Sequence, residues 1–241
     1  MKIALVIPCF NEEKRLDLEA YAAFLKLCPN FHILFVNDGS KDETARLIQT
    51  FCQAFSNAEL LDLKNNLGKA GAVREGVNYL LKKDFTLLGY LDADLATPLL
   101  ELLYFVEVMK SKPNVQCVLG ARVGLLGRQV ERKMHRHYLG RIFATFASLA
   151  LKLHIYDTQC GAKLFRKDLA QVIFEKPLMS RWLFDIELLF RIKKTDFYKN
   201  NPHPIYEFPL TEWIDVPGSK LKITDFFKAP FELLRIYLHY R

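Results

Sequence analysis

The sequence lacks the short motifs that mark several common classes of protein. Its five cysteines are widely spaced and form no C-x-x-C, which argues against a disulfide framework or a zinc site and favours a reducing compartment. The loop after the first predicted strand has no G-x-G-x-x-G, and the chain has no G-x-x-x-x-G-K-[ST], so neither a dinucleotide-dependent dehydrogenase nor a P-loop nucleotidase is indicated. No internal repeat or low-complexity linker divides the 241 residues, which favours one domain.

Long apolar runs are also missing. The longest apolar helical stretch, Ile142–Leu151, is flanked by Arg141 and Lys152 and is well short of the ~20 residues that a bilayer-spanning helix needs. No charged and then apolar leader opens the chain, because Met1 and Lys2 run straight into a predicted strand. We therefore expect a cytoplasmic protein whose contact with a membrane, if it makes one, is peripheral.

Positive charge is concentrated in one segment. The net charge is +7, and six Lys or Arg residues fall between Arg122 and Arg141 against one acid, Glu131. A solvated face explains such a run as well as an anionic partner does. The anionic partner would be a phosphate, a nucleic acid or a lipid surface.

The first half of the chain alternates predicted strands and helices. Continuous apolar strands separated by helices predict an α/β fold, a mostly parallel sheet with helices on both faces. Ser40 and Glu43 suggest a capping box, and Thr97 with Pro98 suggests an N-cap followed by the first helical residue. The predicted strands are Lys2–Pro8, His32–Asp38, Ala58–Leu63, Phe85–Leu91 and Val115–Ala121; the predicted helices are Glu12–Leu27, Ser40–Phe55, Gly68–Lys83 and Thr97–Lys110.

In the second half of the chain the regular alternation of predicted strands and helices ends. This half is expected to complete the sheet and close a cleft. Pro230 favours a helix start near Ala229. The aromatic and basic C-terminal helix either packs on the core or lies at a membrane surface. The predicted elements are a helix over Tyr138–Leu153, a short strand or turn over Thr158–Phe165, a helix over Arg181–Lys194, a strand over Ile205–Leu210, a loop over Thr211–Lys220 and a helix within Thr224–Tyr240.

Acidic side chains follow three of the predicted strands. Glu12 follows the first strand, Asp38 ends the second, and Asp92 and Asp94 follow the fourth. Ligands of open parallel sheets bind beyond the carboxyl ends of the strands, so these carboxylates are expected at one edge, where they repel one another unless a cation holds them. A lone D-x-D is weak evidence for a metal, but three converging strand ends predict a Mg²⁺ or Mn²⁺ site that also receives a diphosphate.

Several segments carry a resemblance to a known family. In chain order they read "IPCFNEE", "FVNDGSKDET", "KNNLGKAGAVREG", "YLDADLATP", "GAR", "DTQCGAKLF", "RWLFDIELL" and "WIDVPGSKLK", and they run from Ile7 to Lys222. With them the chain resembles the inverting nucleotide-sugar transferases of glycosyltransferase family two, which have the GT-A fold. "DTQCGAKLF" followed by "RWLFDIELL" resembles more closely the polyprenyl-phosphate branch of the dolichyl-phosphate glucose and mannose synthases, the glucosyl type in particular.

The resemblance implies a single GT-A domain over residues 1–241. Residues 1–121 would be its nucleotide-binding half, residues 122–223 its acceptor-side half and residues 224–241 a C-terminal helix with a possible membrane-interfacial role. It also implies transfer of a hexose, with glucose favoured over mannose, from a nucleotide sugar such as UDP-glucose to a polyprenyl or dolichyl phosphate at the cytoplasmic face of a membrane. Nucleic acid is not an expected partner.

The resemblance also implies roles for individual residues. Glu12 would bind the ribose, Asp38 would accept a hydrogen bond from the base, and Lys69 would lie near the donor. Asp92 and Asp94 would bind the metal and its diphosphate. The residues implied to line the nucleotide pocket are Pro8, Phe10, Asn11, Glu12, Asp38, Lys69 and Ala93. Those implied to act in catalysis are Asp92, Asp94, Arg122, Arg132 and Lys220, with the arginines on phosphates and Lys220 closing over the diphosphate. The chemistry of the acceptor adds Asp185 to the catalytic candidates.

The sequence departs from the family pattern at two places. Mannose-type relatives often carry glutamine as a further metal ligand where this chain has Ala96, which weakens the assignment of a third protein ligand and of mannose as the sugar. Many relatives also carry a membrane-spanning segment at one end, and this sequence has none.

The acceptor decides which residues the chemistry needs. A lipid phosphate is already an anionic nucleophile and needs no strong base, whereas a saccharide hydroxyl does, with Asp185 and Glu187 as candidates. We prefer Asp185 as a residue that orients Arg181 or Lys163. Transfer to a saccharide hydroxyl is the alternative within the enzyme class, and a non-catalytic basic module that binds membranes or nucleic acid is the alternative outside it.

Overall fold

The computed structural model describes residues 1–131, 134–216 and 223–241. Within these residues, seven strands form one sheet and two short strands form a second. The strands are β1 (Ile3–Cys9), β2 (Phe31–Asp38), β3 (Ala58–Leu63), β4 (Leu87–Tyr90), β5 (Cys117–Ala121), β6 (Gln129–Glu131), β7 (Lys163–Arg166), β8 (Ile205–Pro209) and β9 (Glu212–Ile214).

Helices cover both faces of the large sheet. They are α1 (Leu18–Leu27), α2 (Thr44–Ala54), α3 (Gly68–Leu81), α4 (Glu101–Ser111), α5 (Met134–Leu151), α6 (Lys167–Phe174), α7 (Phe184–Lys194), α8 (Asp196–Lys199) and α9 (Ile223–Tyr240). Side chains of β1 alternate between two apolar layers, with Ala4 and Val6 on one side and Leu5 and Ile7 on the other. The first layer holds residues of α3, α5, α6, α7 and α9, and the second holds residues of α1, α2 and α4.

The large sheet has the order β3-β2-β1-β4-β7-β5-β8 and is parallel except at β7. Strand β7 comes from the second half of the chain and pairs antiparallel with both β4 and β5, which places Lys163 opposite Tyr90. The predicted mostly parallel sheet with helices on both faces is therefore confirmed. The insertion of β7 carries the "DTQCGAKLF" segment to the centre of the sheet.

Two predicted helix starts are wrong. The Ser40 hydroxyl accepts a hydrogen bond from the Asn11 backbone instead of capping a helix, and α2 begins only at Thr44. Thr97 is buried and provides no cap; Pro98 and the two residues after it form a tight turn, and α4 begins at Glu101. In both places, tertiary contacts engage a side chain that local sequence rules assign to a cap.

Other boundaries and elements also differ from the prediction. Residues 12–16 form a turn, and α1 begins at Leu18, where the Asp17 carboxylate accepts a hydrogen bond from the Ala20 amide at 3.0 Å. Helices α6 and α8 were not predicted. Strands β6 and β9 were not predicted either, because each is three residues long and exists only through pairing with a segment ~80 residues away in the chain.

The C-terminal helix packs on α7 by one face and is exposed on the other. Pro230 lies inside this helix, so the predicted start near Ala229 is wrong. Leu233 and Ile236 are buried, whereas Phe231 is 76% exposed. No helix in the described ranges is long and apolar enough to cross a bilayer.

A buried carboxylate on α7 anchors the C-terminal helix. Glu187 is fully buried, its carboxylate lies 2.7 Å from the Arg191 guanidinium, and it accepts hydrogen bonds from the Tyr240 hydroxyl and the Met179 amide. The Tyr240 ring also stacks on Phe190 with centroids 5.9 Å apart. Glu187 therefore has a structural role in the fold.

We expect Glu187→Gln to lower the free energy of unfolding by about 1–3 kcal/mol, because the buried Arg191 and Tyr240 donors lose a charged acceptor. Urea denaturation measures the change. Glu107→Gln is the matched control, since its side chain on α4 is 71% exposed, and it should stay within about 0.5 kcal/mol of the parent. An equal effect of the two substitutions would contradict the anchoring role.

Candidate active site

The ends of β1 and β2 are joined by Asn11. Its backbone has a φ of +50°, in the left-handed region that asparagine tolerates better than most residues. Its amide donates to the Ser40 hydroxyl at 2.9 Å, and its side-chain oxygen accepts from the Lys41 amide at 2.9 Å. Phe10 precedes it, and Pro8 lies within β1 opposite Val36. The predicted nucleotide-pocket residues of this loop therefore lie together at the sheet edge.

Glu12 is buried beside a cation that sequence reasoning missed. Its carboxylate accepts two hydrogen bonds from the Arg15 guanidinium, at 2.8 and 2.9 Å. Its amide donates to the Thr44 hydroxyl at 2.8 Å, which ties the loop to α2. The predicted contact of Glu12 with a ribose stays a prediction. The structure adds Arg15 to the positive charge around the site.

Asp38 at the end of β2 is almost fully buried and serves the start of α3. Its two oxygens accept hydrogen bonds from the Leu67 and Gly68 amides, at 2.7 and 2.9 Å. Burial raises the pKa of Asp38, and the two amide donors offset this only in part. Asp38 thus holds the Leu67–Gly68 turn in place, and its predicted contact with a base stays a prediction.

Asp92 forms an ion pair with Lys69 across the edge of the sheet. The Lys69 Nζ lies 2.5 Å from Asp92 Oδ1, and both side chains are about one-third exposed. Burial lowers the pKa of Lys69, but the carboxylates of Asp92, Asp185 and Asp94 together raise it above its ordinary value. The predicted proximity of Lys69 to the acidic edge is therefore present in the structure.

Asp94 follows in a strained turn. Leu95 has a φ of +53°, which is uncommon for a branched side chain, and the Ala96 amide donates to Asp94 Oδ1 at 3.2 Å. The buried Tyr21 hydroxyl donates to the carbonyl of Ala93 from below. Burial and the nearby Asp92 charge raise the pKa of Asp94. Among the residues that the structure describes, Asp94 has no ion-pair partner, so it is the carboxylate best prepared for an added cation.

Gly161 packs directly against the Asp92 carboxylate. A Cβ at position 161 would lie 2.0 Å from Asp92 Oδ2 and 2.3 Å from its Cγ, distances that no side chain tolerates. Glycine is therefore required for the close approach between the "DTQCG" turn and the D-x-D turn.

Asp185 lies behind the acidic edge in a fully buried network. Its Oδ1 accepts hydrogen bonds from the Lys163 Nζ at 2.5 Å and from the Tyr90 hydroxyl. The expected contact of Asp185 with Lys163 is thus present. Arg181, the other expected partner, donates to the Asn66 carbonyl. A catalytic role for Asp185 stays a prediction.

Arg122 is held by an acid that sequence reasoning did not select. Its guanidinium contacts both oxygens of Asp157, at 2.6 and 2.8 Å, and lies 5.3 Å from the centroid of the Trp213 ring. Burial acts to lower the pKa of Arg122, but interactions led by the Asp157 carboxylate together outweigh this effect. The pKa of Arg122 is therefore raised above its ordinary value, and the guanidinium stays charged. Glu207 in turn accepts hydrogen bonds from the Tyr156 and Asp157 amides. Arg122 is therefore fixed near the acidic edge, and its contact with a phosphate stays a prediction.

The segment after β8 is attached to the D-x-D turn. The buried Glu101 carboxylate accepts hydrogen bonds from the Thr211 and Glu212 amides, and the Ile214 amide donates to the Ala96 carbonyl at 3.0 Å. This segment leads towards Lys220. Both Lys220 and Arg132 lie outside the described residues, so their predicted roles are not placed.

Asp92 and Asp94 fit a divalent cation that takes most of its ligands from phosphate oxygens and water. In residues 1–131, 134–216 and 223–241, no cluster of three or more His, Cys, Asp or Glu side chains could hold a metal alone. Asp92 and Asp94 supply two carboxylates, and Mg²⁺ is commonly bound by one or two carboxylates with phosphate oxygens and water completing its shell. The raised pKa of Asp94 shows that its charge is poorly compensated by the protein.

Sequence reasoning missed several supporting residues. Asp157 and Gly161 lie in the "DTQCGAKLF" segment, a motif in which the sequence assigns a role only to Lys163. Arg15 and Tyr21 could be identified only from the fold, because nothing in their local sequence differs from an ordinary helix and its preceding turn.

Comparison with known proteins agrees with the fold. The sequence model of the family Glycosyl transferase family 2 matches residues 4–174 of this chain. Among solved structures, the chain is similar to glucosyl-3-phosphoglycerate synthase from Mycobacterium tuberculosis, which was crystallised with Mn²⁺, UDP and glucosyl-3-phosphoglycerate. The two superpose with a TM-score of 0.71 over 99% of this chain and 79% of that one, at 15% sequence identity. The sheet and the helices that cover it therefore have the GT-A fold.

The chain belongs to glycosyl transferase family 2 and is a glycosyltransferase. Dolichyl-phosphate beta-glucosyltransferase ALG5D of Trichomonas vaginalis is 32% identical over 99% of this chain and 74% of its own length. The human dolichyl-phosphate beta-glucosyltransferase is 32% identical over 91% of this chain and 69% of its own length. The expected family is confirmed.

The raised pKa of Asp94 predicts a stability cost in the metal-free protein. Because the folded chain binds a proton at Asp94 more tightly than the unfolded chain does, stability falls as the pH rises through the raised pKa. Asp94→Asn should therefore raise the melting temperature at about pH 7, and this gain should disappear below about pH 4.

Thermal unfolding in the presence of a chelator measures this effect. Asp92→Asn is the contrasting variant, because it removes the partner of Lys69 and should not stabilise the chain. A melting temperature for Asp94→Asn at or below that of the parent at neutral pH would contradict the description of Asp94.

Proposed function

We propose that the protein transfers glucose from UDP-glucose to a polyprenyl phosphate of the dolichyl type, at the cytoplasmic face of a membrane. The acceptor and the sugar are those in the names of the relatives that match nearly the whole chain. The observation that carries the choice of acceptor is the state of the two candidate bases. Asp185 is 2% exposed and paired with Lys163, and Glu187 is fully buried and paired with Arg191.

An acceptor that needs no base fits this arrangement. A saccharide hydroxyl must lose a proton during attack, and neither Asp185 nor Glu187 is open to receive one. A lipid phosphate brings its own negative oxygen. That oxygen forms the new bond to the anomeric carbon of glucose, the bond from this carbon to the diphosphate breaks, and UDP leaves with the bonding electrons.

The charges at the sheet edge suit this bond cleavage. A divalent cation at Asp92 and Asp94, either Mg²⁺ or Mn²⁺, would supply Lewis-acid stabilisation of the diphosphate leaving group. Lys69 places a fixed positive charge beside the same carboxylates, and Arg15 lies at the neighbouring loop. Arg122 is held rigidly by Asp157, so it can attract an incoming phosphate without a large loss of side-chain entropy.

Transfer of radiolabelled sugar tests the assignment. We expect the protein to move glucose from UDP-glucose to polyprenyl phosphate in the presence of Mn²⁺ or Mg²⁺, and other UDP- and GDP-sugars to react at least about tenfold more slowly. Asp94→Ala should reduce the rate about a hundredfold or more, because the leaving group loses its cation.

Gly124→Ala is a suitable control in that assay, because a Cβ at position 124 meets no other atom within 4 Å. Glucose transfer to a soluble saccharide in place of polyprenyl phosphate would overturn the choice of acceptor. An Asp94→Ala variant that transfers normally would overturn the metal site.

A lipid acceptor requires access to a membrane, and two neighbouring helices suit this purpose. Helices α5 and α9 pack against each other. Their outer side chains are apolar and exposed: Ile142, Phe146 and Leu149 on α5, and Phe231, Leu234 and Leu238 on α9. Lys228, Arg235 and Arg241 are exposed beside them. An apolar face with basic neighbours is typical of helices at an anionic lipid surface, and we propose this face as the peripheral membrane contact.

Vesicle binding tests this contact. We expect the double substitution Leu149→Ser with Leu238→Ser to weaken binding to anionic phospholipid vesicles by at least about tenfold, because two apolar side chains no longer enter the lipid interface. Leu27→Ser with Leu100→Ser is the matched control, since these leucines are 67% and 50% exposed but lie at the end of α1 and just before α4, two helices of the opposite layer. Equal vesicle sedimentation of the two double variants would contradict the proposed face.

A further inference from the structure

We propose that Lys163 and Asp185 are positioning residues that hold the Thr158–Gly161 turn against Asp92 and thereby set the Asp92 carboxylate for a divalent cation. This inference rests on the proposed function, because it assumes that Asp92 helps to bind a cation with its diphosphate.

The first step is the burial of the pair. Lys163 is 1% exposed and Asp185 is 2% exposed, and the Lys163 Nζ lies 2.5 Å from Asp185 Oδ1. Removing two charges from water is costly, and an apolar pair of similar volume often stabilises a fold as well or better. A buried ion pair at the centre of a sheet is therefore weak evidence for stability and calls for another role. The Tyr90 hydroxyl donates to the same Asp185 oxygen and fixes its orientation.

The second step is the reach of the ammonium group. Besides Asp185, the Lys163 Nζ donates to the Cys160 carbonyl at 2.7 Å and to the Thr158 carbonyl at 3.3 Å. An ammonium group has three protons, and these three acceptors use all of them. Asp185 thus fixes the position of the Lys163 ammonium group, and this group binds two backbone carbonyls of the turn that precedes β7.

The third step is the contact of this turn with the acidic edge. Gly161 follows Cys160 directly and approaches the Asp92 carboxylate so closely that a Cβ would lie 2.0 Å from Oδ2. The other oxygen of Asp92, Oδ1, is paired with the Lys69 Nζ. The Asp92 carboxylate is consequently held between Lys69 on one side and the backbone of Gly161 on the other. A shift of the turn would change the direction in which the carboxylate presents its lone pairs.

These steps assign Asp185 a different task from that of a general base. Its Oδ1 accepts hydrogen bonds from both Lys163 and Tyr90, and the side chain is buried behind the turn, so it acts on the reaction through the turn and Asp92. Residues that orient metal ligands commonly change metal affinity by about 10- to 100-fold when they are substituted. The expected defect is therefore in cation binding and not in proton transfer.

Calorimetric titration of UDP into the protein, with and without Mn²⁺, separates these effects. For Asp185→Asn, which keeps the size of the side chain, we expect the gain in UDP affinity on adding Mn²⁺ to shrink by about tenfold or more. UDP affinity without Mn²⁺ should stay within about twofold of the parent, since nothing in the nucleotide loop changes. Gly161→Ala should show the same defect, because it acts on Asp92 directly.

Two controls exclude a general loss of structure. Glu187→Gln removes a different buried charge from α7 and should lower stability without changing the Mn²⁺ gain. Gly124→Ala adds the same methyl group in open space and should change neither quantity. If Lys163→Met fails to fold because Asp185 is left unpaired, the double variant Lys163→Met with Asp185→Asn removes both charges, and it should fold but still lack the Mn²⁺ gain.

The outcomes distinguish the two proposals. Parent protein that gains UDP affinity from Mn²⁺, together with Asp185→Asn and Gly161→Ala variants that gain equally, would overturn the positioning role and leave the proposed function standing. Parent protein with no Mn²⁺ gain would overturn the cation site and, with it, the positioning role, whereas the proposed glucose transfer is decided by the radiolabel assay. A pH profile of transfer whose fall in rate at low pH disappears in Asp185→Asn would show a general base and would also overturn the positioning role.

Discussion

Repulsion among carboxylates that share one edge of a sheet is the constraint on which this structure depends. The chain resolves it by giving the acids near the edge basic partners: Arg15 for Glu12, Lys69 for Asp92, Arg122 for Asp157 and Lys163 for Asp185. Asp94 is different, because the described part of the chain offers it no ion pair and its pKa is raised. This uncompensated charge is the reason why Asp94 is proposed as a ligand of the cation.

The same arrangement explains why β7 runs against its neighbours. Its insertion between β4 and β5 puts Lys163 opposite Tyr90 and carries the preceding turn to the D-x-D segment. A parallel strand would present the opposite end of the segment at this edge. Strand direction, the glycine at position 161 and the buried lysine thus act together on one carboxylate. Because Lys163 is buried and its contacts with the turn are short, small displacements of the turn are costly.

Helix α7 carries two buried carboxylates, Asp185 and Glu187, that have different partners. The Lys163–Asp185 pair lies directly behind the site and supports a proposed role in positioning. Glu187, two residues later on the same helix, points to Arg191 and Tyr240 and anchors the C-terminal helix. That helix carries the apolar outer face proposed to contact lipid. These two acids of α7 therefore have different partners, Asp185 behind the acidic edge and Glu187 at the C-terminal helix.

The sequence by itself determined the alternation of strands and helices, the acids at three strand ends and the family. These features are local, since apolar runs, strand-end residues and motif spacing are readable without knowing what packs against them. Only the tertiary structure decided that Ser40 meets Asn11 instead of capping a helix, that Gly161 touches Asp92, and that β6 pairs with β9. Each of these contacts joins residues far apart in the chain, and the energy that selects them comes from packing and pairing across the fold, which local propensity does not contain.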